Sequence, residues 1–237
     1  MIMKNIVIFL VLYFIVISNI YSQEKERKFS GGIVASPLVI SWTKPDVKNI
    51  ENDGVKFGFN FGVVGDFYFS KNFAFSTGIL LENLGGILKY KDSIPKFKGE
   101  NEYKLSPNSI ITYKLKYFEI PVSLKGISNE IGNFKYLCDF GLNPMIRYKS
   151  IADVSQQNIS KENIKDEIPA FSLGYHIGIG TQYSLPGNMA LLAEIIYTNG
   201  LTNFSKTRTF DSKTNVYRSK AEKVVLNNIA LRLGILF

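Results

Sequence analysis

The chain has 237 residues, a formal net charge of +8 and one cysteine, Cys138. A single cysteine excludes an internal disulfide, and one cysteine with one histidine, His176, leaves too few ligands for a dedicated zinc site. The length suits one all-β barrel domain.

The first 22 residues have the features of a secretory signal peptide. Lys4 precedes an apolar run from Ile6 to Ile17, and the small residue Ser22 stands just before a charged stretch. A membrane-spanning helix needs about 20 apolar residues, and this run is shorter. We therefore predict export, cleavage after Ser22, and a mature domain of residues 23–237 whose charge falls from +8 to +7 with the loss of Lys4. A basic exported chain is expected to meet anionic lipid rather than nucleic acid.

The mature chain repeats one pattern, in which apolar residues alternate with glycine or polar residues. In the clearest case Phe57, Phe59 and Phe61 share one face, while Gly58 and Asn60 lie on the other. A period of two gathers side chains on one side of a strand, whereas a helix would scatter them. The segments predicted as strands are about 29–41, 57–69, 73–82, 118–125, 134–143, 171–180, 189–198 and 228–237.

The predicted connections alternate between long and short. The long ones are about 42–54, 84–110, 149–169 and 200–222, and the short ones lie near 70–72, 127–131 and 185–188. Bacterial up-and-down barrels have short periplasmic turns and longer extracellular loops. The sequence therefore predicts an all-β fold, an eight-stranded antiparallel up-and-down transmembrane β-barrel.

A soluble lipocalin-like barrel is the alternative fold, with its apolar faces turned inward around a ligand. Eight strands enclose a space just wide enough for side chains, and phenylalanines on every strand would overfill it. We therefore expect the phenylalanines to face lipid and the opposite face to line the lumen.

The predicted lumen face carries charges of both signs, which must pair because an isolated buried charge is very costly. For Glu119, the predicted partners are Arg147 and Arg232, and Lys135 is a further base on this face. Since an eight-stranded barrel has no continuous aqueous channel, we expect a salt-bridged plug, with an ion or proton conduit as the alternative. The predicted lumen charge network is Asp66, Glu82, Glu119, Lys125, Asp139, Arg147, His176, Glu194 and Arg232.

A histidine side chain can act as a general base because histidine ordinarily titrates near neutral pH, so His176 is a candidate for that role. Catalysis would also need a nucleophile and an oriented partner, and the sequence shows neither, nor a metal-ligand spacing or a phosphate loop. We therefore predict no catalytic, cofactor-binding or metal-binding residues, and keep a lipid-modifying barrel enzyme as a minor alternative.

The last long loop is rich in basic residues, which suit lipopolysaccharide phosphates or anionic glycans. This pattern raises a second functional hypothesis, a surface-binding barrel. An ordinary solvated loop near acidic lipid is the simpler interpretation, and the pattern does not displace it. The residues are Lys206, Arg208, Lys213, Arg218, Lys220 and Lys223.

The stretch Tyr117–Lys125, YFEIPVSLK, resembles the Tyr-Leu-Glu-Ile-Pro-Leu-x-Leu-Lys strand of the PorT-like outer-membrane barrels of Bacteroidetes. The resemblance extends to a signal peptide ending before Gln23, the glycine-rich strand near 171–181 and the terminal Phe237. It implies an integral outer-membrane location and allows a role in type IX secretion, and the family offers no catalytic residues to carry over. Pro121 within the motif should mark a bulge or bend.

The first functional hypothesis is therefore a non-enzymatic structural or accessory barrel of the envelope. Its expected partners are outer-membrane lipid and lipopolysaccharide, the barrel-assembly machinery, and proteins of a secretion complex. The assembly machinery would recognise the C-terminal strand ending at Phe237.

Pro37 in the first strand is expected to mark a bulge or a strand end.

Overall fold

The computed structural model describes residues 28–99, 102–157, 159–208, 210–211, 216–217 and 223–237, so the predicted signal peptide lies outside it. The strands are β1 (Phe29–Pro45), β2 (Ile50–Gly54), β3 (Lys56–Ser70), β4 (Phe73–Tyr90), β5 (Ile94–Lys98), β6 (Glu102–Leu105), β7 (Ser109–Glu119), β8 (Val122–Ile127), β9 (Phe134–Val154), β10 (Ile159–Asn163), β11 (Phe171–Leu185), β12 (Met189–Gly200), β13 (Phe210–Asp211), β14 (Val216–Tyr217) and β15 (Val224–Leu236). The 3-10 turn Ser155–Gln157 joins β9 to β10. None of the described residues forms a helix long and apolar enough to span a membrane.

Antiparallel pairing closes these strands into a ring. In the first half of the ring, β1 pairs with β3, β3 with β4, and β4 with both β7 and β8, which in turn both pair with β9. In the second half, β9 pairs with β11, β11 with β12, and β12 with β15. The ring closes where β15 pairs with β1. Since β7 and β8 together occupy one position, the ring has the predicted eight positions. This confirms the antiparallel eight-stranded barrel.

Two irregularities lie at the prolines that the sequence analysis identified. The register of β1 against β15 shifts between Ala35 and Leu38, on either side of Pro37. The wall formed by β7 and β8 is interrupted at Ile120 and Pro121, and the Pro121 carbonyl accepts a hydrogen bond from the Thr77 hydroxyl instead of joining the ladder. The predicted irregularity is therefore present at each proline, as a register shift at Pro37 and as a break between β7 and β8 at Pro121.

The outer face of the barrel is apolar and the inner face polar, as predicted. Phe57 is 66% exposed, whereas Asp66 is fully buried and Lys125 is 2% exposed. Outward-facing aromatic rings include a set toward each end of the wall, as in the girdles of membrane barrels, and Phe61 and Phe140 are exposed between them. Toward the short turns the rings include Phe29, Phe67, Phe69, Phe73, Phe134, Tyr136 and Phe237, and toward the long loops Trp42, Phe57, Phe118, Tyr148 and Phe171.

The strands extend further toward the long loops than the sequence predicted. The segments expected as loops at 84–110 and 149–169 contain the end of β4, the start of β7, the end of β9 and the added strands β5, β6 and β10. An apolar core fills the barrel at this end and continues into the loops. We call it the cap core: Leu84, Leu88, Tyr90, Ile94, Phe97, Leu105, Ile111, Tyr113, Leu115, Tyr117, Ile164, Ile168, Phe204 and Val224 are among its members.

A smaller apolar cluster lines the lumen toward the short turns. It consists of Val34, Val64, Leu80, Ile127, Leu137, Leu192 and Leu236. The polar part of the lumen is thus flanked by apolar packing on both sides.

Candidate functional site

Most of the predicted lumen charges are buried together inside the barrel. We call the following set the lumen network: Asp66, Glu82, Glu119, Lys125, Asp139, His176, Glu194 and Arg232. Seven of them are at most 6% exposed, and the Arg232 side chain is 12% exposed. They come from strands all around the wall, so the network links strands across the lumen.

Within the lumen network, the shortest ion pair joins β8 to β3. Lys125 Nζ donates to both carboxylate oxygens of Asp66, at 2.8 and 3.0 Å. The Ser76 hydroxyl on β4 donates to Asp66 Oδ1 at 2.6 Å. A buried carboxylate with several charge-assisted donors is a satisfied one, so this pair links β3 and β8, which lie on either side of β4.

His176 on β11 lies between an amide and a carboxylate. Asn143 Nδ2 donates to Glu119 Oε1 at 2.6 Å, which leaves Asn143 Oδ1 to accept from His176 Nδ1 at 2.7 Å. The other ring nitrogen, Nε2, faces Asp139 Oδ2 at 3.4 Å. Both ring nitrogens therefore face acceptor oxygens, and of the two only Nδ1 makes a hydrogen bond to a described residue.

Two buried acids are held by amides rather than by bases. Glu119 accepts a hydrogen bond from Asn143, and Glu82 accepts one from Asn60, whose own oxygen accepts from the Asn83 amide at 2.8 Å. The expectation that Arg147 or Arg232 binds Glu119 directly is wrong. The asparagines Asn60 and Asn143, which the sequence analysis did not select, take that place.

Arg232 on β15 pairs instead with Glu194 on β12, at 3.4 Å. The two residues are directly opposite in the register. A Cβ at Gly178 on the adjoining β11 would lie 2.5 Å from Glu194 Oε1 and 3.4 Å from Asp139 Cβ. The glycine thus leaves space for two acidic side chains to approach each other.

Two further predicted bases lie outside the lumen network. Arg147 donates to the Pro169 carbonyl at 3.4 Å and to the Ser150 hydroxyl at 3.3 Å, near the cap core, and forms no ion pair with a described residue. Lys135 pairs at 3.6 Å with Glu130 in the short turn, where both side chains are more than a third exposed. They therefore supply no positive charge at the centre of the lumen.

The lumen network contains more acid than base. Its five carboxyl groups face two permanent cations, Lys125 and Arg232, and one histidine. Among the described residues, Asp139 Oδ1 and Glu194 Oε1 have no hydrogen-bond partner. No cluster of three or more metal-ligating side chains is found in the described parts of the chain.

The amino-acid sequence matches a family model, the outer membrane protein beta-barrel domain, over residues 21–206. The chain belongs to this family. A search of curated proteins found no match.

Solved structures similar to this outer-membrane barrel are distant in sequence. Neisserial surface protein A is 14% identical, with 90% of this chain and 98% of that one covered and a TM-score of 0.45. A major outer membrane protein from Thermus thermophilus is 13% identical, with coverages of 89% and 99% and a TM-score of 0.44. The outer membrane protease OmpT from Escherichia coli is 9% identical, with coverages of 92% and 99% and a TM-score of 0.42.

A second buried polar group, which the sequence did not reveal, lies toward the long loops. Glu167 is buried, and its carboxylate accepts hydrogen bonds from the Lys98 amide at 2.9 Å and the Thr207 hydroxyl at 2.8 Å. Beside it, the Tyr90 and Tyr113 hydroxyls are 2.9 Å apart. Glu167 thereby ties three loop segments together over the cap core. Glu167 was not predicted from the sequence because it lies in a predicted loop, outside any alternating strand pattern.

The predicted basic loop is described in part. Lys206, Arg208 and Lys223 are exposed, whereas Lys213, Arg218 and Lys220 lie outside the described residues. The amide of Phe204 donates to the Val224 carbonyl at 3.0 Å, which brings the segments carrying Lys206 and Lys223 alongside each other.

The predicted assembly signal lies at the seam of the barrel. The Phe237 amide donates to the Gly31 carbonyl at 2.7 Å, and the Gly31 amide donates to the Phe237 carbonyl at 2.9 Å. The Phe237 ring points outward and is 57% exposed. The terminal residue therefore closes the β1–β15 pairing and presents an aromatic side chain to lipid.

Proposed function

We propose that this outer-membrane barrel is a non-enzymatic and non-conducting structural or accessory component of the envelope. The PorT-like motif Tyr117–Lys125 makes a secretion complex its candidate setting, and export by the N-terminal segment is part of the same proposal. One observation carries it: cross-strand hydrogen bonds and ion pairs fill the lumen, and the cap core lies between the lumen network and the long loops.

A conductance experiment tests the closed lumen. The folded barrel, reconstituted in a planar bilayer, should show no single-channel steps, with a porin as the positive control for insertion. Regular steps of a water-filled pore would contradict the proposal and support the ion-conduit alternative.

A genetic experiment tests the accessory role. Deletion of the gene should impair protein secretion or envelope integrity, and the barrel should co-purify with envelope proteins from detergent-solubilised outer membrane. Complementation with the wild-type gene is the control. A barrel that purifies alone from a strain with intact secretion and an intact envelope would exclude this role.

The geometry around His176 argues against an enzyme. Its ring is hydrogen-bonded to Asn143 and faces Asp139, and no described serine, threonine or cysteine hydrogen-bonds to it. Mass spectrometry of lipid A from strains with and without the protein should therefore show the same species.

A surface-binding role is the second candidate, supported by the side-by-side segments of Lys206 and Lys223. It predicts salt-dependent binding to anionic glycan or lipopolysaccharide that disappears in K206Q/R208Q/K223Q. Binding that survives these substitutions would count against it. Recognition of the Phe237 strand by the barrel-assembly machinery also belongs to the proposal, and should be impaired in a variant lacking that residue.

A further inference from the structure

Two lysines lie directly opposite each other on the outer wall, toward the long loops. In β7 the side chains of Tyr113, Leu115 and Tyr117 are buried inside the barrel, so Lys116 points outward by strand alternation. Lys116 pairs in register with Lys149 of β9, which is exposed. Opposed residues on one face of a sheet have Cβ atoms about 5 Å apart, so the two ammonium groups can reach a common point.

A β-bulge places an aromatic ring beside these lysines. Tyr117 pairs with Arg147 and Lys116 with Lys149, so Tyr148 is the extra residue between them. A bulge re-aims side chains, and here both Tyr148 and Lys149 are exposed on the outside. The Tyr148 ring packs 4.6 Å from the ring of Phe118.

This aromatic pair sets the depth of the lysines in the membrane. Aromatic girdles lie at the boundary between hydrocarbon and head groups. Phe118 and Tyr148 belong to the girdle on the long-loop side, and Ile120 and Ile146 continue the exposed apolar surface below them. The lysines follow just beyond the girdle, which is the level of the head groups.

The two positive charges lack a protein counter-ion among the described residues. Asp153, an acid further along β9, forms an ion pair with Lys114. Burial alone would raise the pKa of Asp153, but hydrogen bonds from the Lys114 ammonium and the Lys161 amide, together with the charges of Lys114 and Lys56, hold the pKa below its usual value. Asp153 is thus an ionised partner of Lys114. Like charges directly opposite in a sheet are destabilising, so an anion between Lys116 and Lys149 would remove a repulsion as well as gain an attraction.

We propose that Lys116 and Lys149 bind the phosphate group of an outer-leaflet glycolipid of the lipid A type, whose acyl chains lie along Phe118, Ile120 and Ile146. The two lysine charges would bind the phosphate of an amphiphile, and the apolar strip would contact its acyl chains. A soluble anion would contact only the lysines. This wall site is separate from the basic loop at Lys206. Its test does not depend on whether the accessory role or the closed lumen is correct.

Lipid titration of the detergent-solubilised barrel, followed by native mass spectrometry, tests the site. The ligands are phosphorylated lipid A, the same lipid after dephosphorylation, and inorganic phosphate. The wild type should bind phosphorylated lipid A, and K116Q/K149Q should bind it at least about tenfold more weakly, since each ammonium contributes a charge-assisted hydrogen bond. K116R/K149R should retain binding. The matched control is K98Q/K104Q, which removes two exposed lysines of β5 and β6 and should bind like the wild type.

Each other result would overturn the proposal. If K116Q/K149Q bound lipid A as tightly as the wild type, these two lysines would not form the binding site. If K98Q/K104Q lost as much affinity as K116Q/K149Q, binding would depend on the overall charge of the protein and not on this site. Equal binding of dephosphorylated lipid makes the contact apolar only, and displacement of the lipid by equimolar inorganic phosphate makes it a free-phosphate site. K116Q/K149Q should remain folded, as judged by its heat-dependent gel mobility, because it removes a repulsive pair. A failure to fold would therefore also contradict the account.

Discussion

At the scale of single residues, the lumen shows why alternation identifies faces but not partners. A period of two correctly places Glu119 inside the barrel, but its partner depends on how far neighbouring strands are staggered. The stagger brings Asn143 to Glu119, whereas Arg232 meets Glu194 and Arg147 lies near the cap core. The stagger is a property of the closed ring, so the sequence alone did not supply it.

The buried pair of Lys125 and Asp66 gives a prediction at this scale. Lys125→Met should lower the free energy of unfolding by about 3–5 kcal/mol, because it leaves an uncompensated carboxylate in the lumen. Denaturant unfolding of the barrel in lipid vesicles measures the change. The matched control is Lys135→Met, whose pair with Glu130 is exposed and should contribute at most about 1 kcal/mol.

A double substitution separates the charge from the packing of the side chain. If the loss in Lys125→Met comes from the stranded carboxylate, then adding Asp66→Asn should recover part of the stability. Equal losses in the single and double variants would show that the methylene packing of Lys125 matters and the ion pair does not.

At the scale of elements, the strands were predicted in number and order but not in length. Beyond the membrane the pattern inverts: in β7 the lysines 114 and 116 face outward while Tyr113 and Leu115 face the cap core. The strands were predicted from apolar residues on the outer face, so each predicted strand ends where the inversion begins. The predicted loops at 84–110 and 149–169 were therefore too long. The inversion itself is visible in the sequence and could have located the membrane boundary.

Close approach of strands gives a prediction for β3. A Cβ at Gly62 would press on the Ile79 carbonyl oxygen of β4. Since backbone cannot move aside cheaply, Gly62→Ala should cost about 1–3 kcal/mol of unfolding free energy. The matched control is Gly31→Ala, whose new methyl group would meet the Phe237 ring at an ordinary 3.5 Å. Equal stability of the two variants in denaturant unfolding would mean that β3 and β4 are further apart than described.

The cap core gives a prediction about pH. Burial raises the pKa of Tyr90 to about 12 and the pKa of Tyr113 well above its usual value. The folded state therefore keeps protons that the unfolded chain loses near pH 10, and the free energy of unfolding should fall between about pH 10 and 12. The Y90F/Y113F variant should lose part of this decline. Identical pH profiles of wild type and variant would contradict burial of the two hydroxyl groups.

At the scale of the whole molecule, the arrangement is an apolar wall around a polar lumen, with a cap toward the long loops. Composition, alternation and the sorting of loop lengths were sufficient to predict the wall and its orientation. The cap core depends on contacts between loop segments that are distant in the chain, such as Phe97, Ile168 and Phe204, and no local pattern encodes them. The same is true of Glu167, which binds these segments together.

Trp42 allows the most direct test of the central claim that the apolar wall faces lipid. It is the one tryptophan of the chain, and its ring stacks on the outside with Tyr197 at 6.3 Å, in the girdle toward the long loops. In bilayers of brominated lipids its fluorescence should be quenched more strongly by bromine near the head-group end of the acyl chains than near their methyl ends. Aqueous iodide should quench it weakly. Strong quenching by iodide, without quenching by either brominated lipid, would contradict the account.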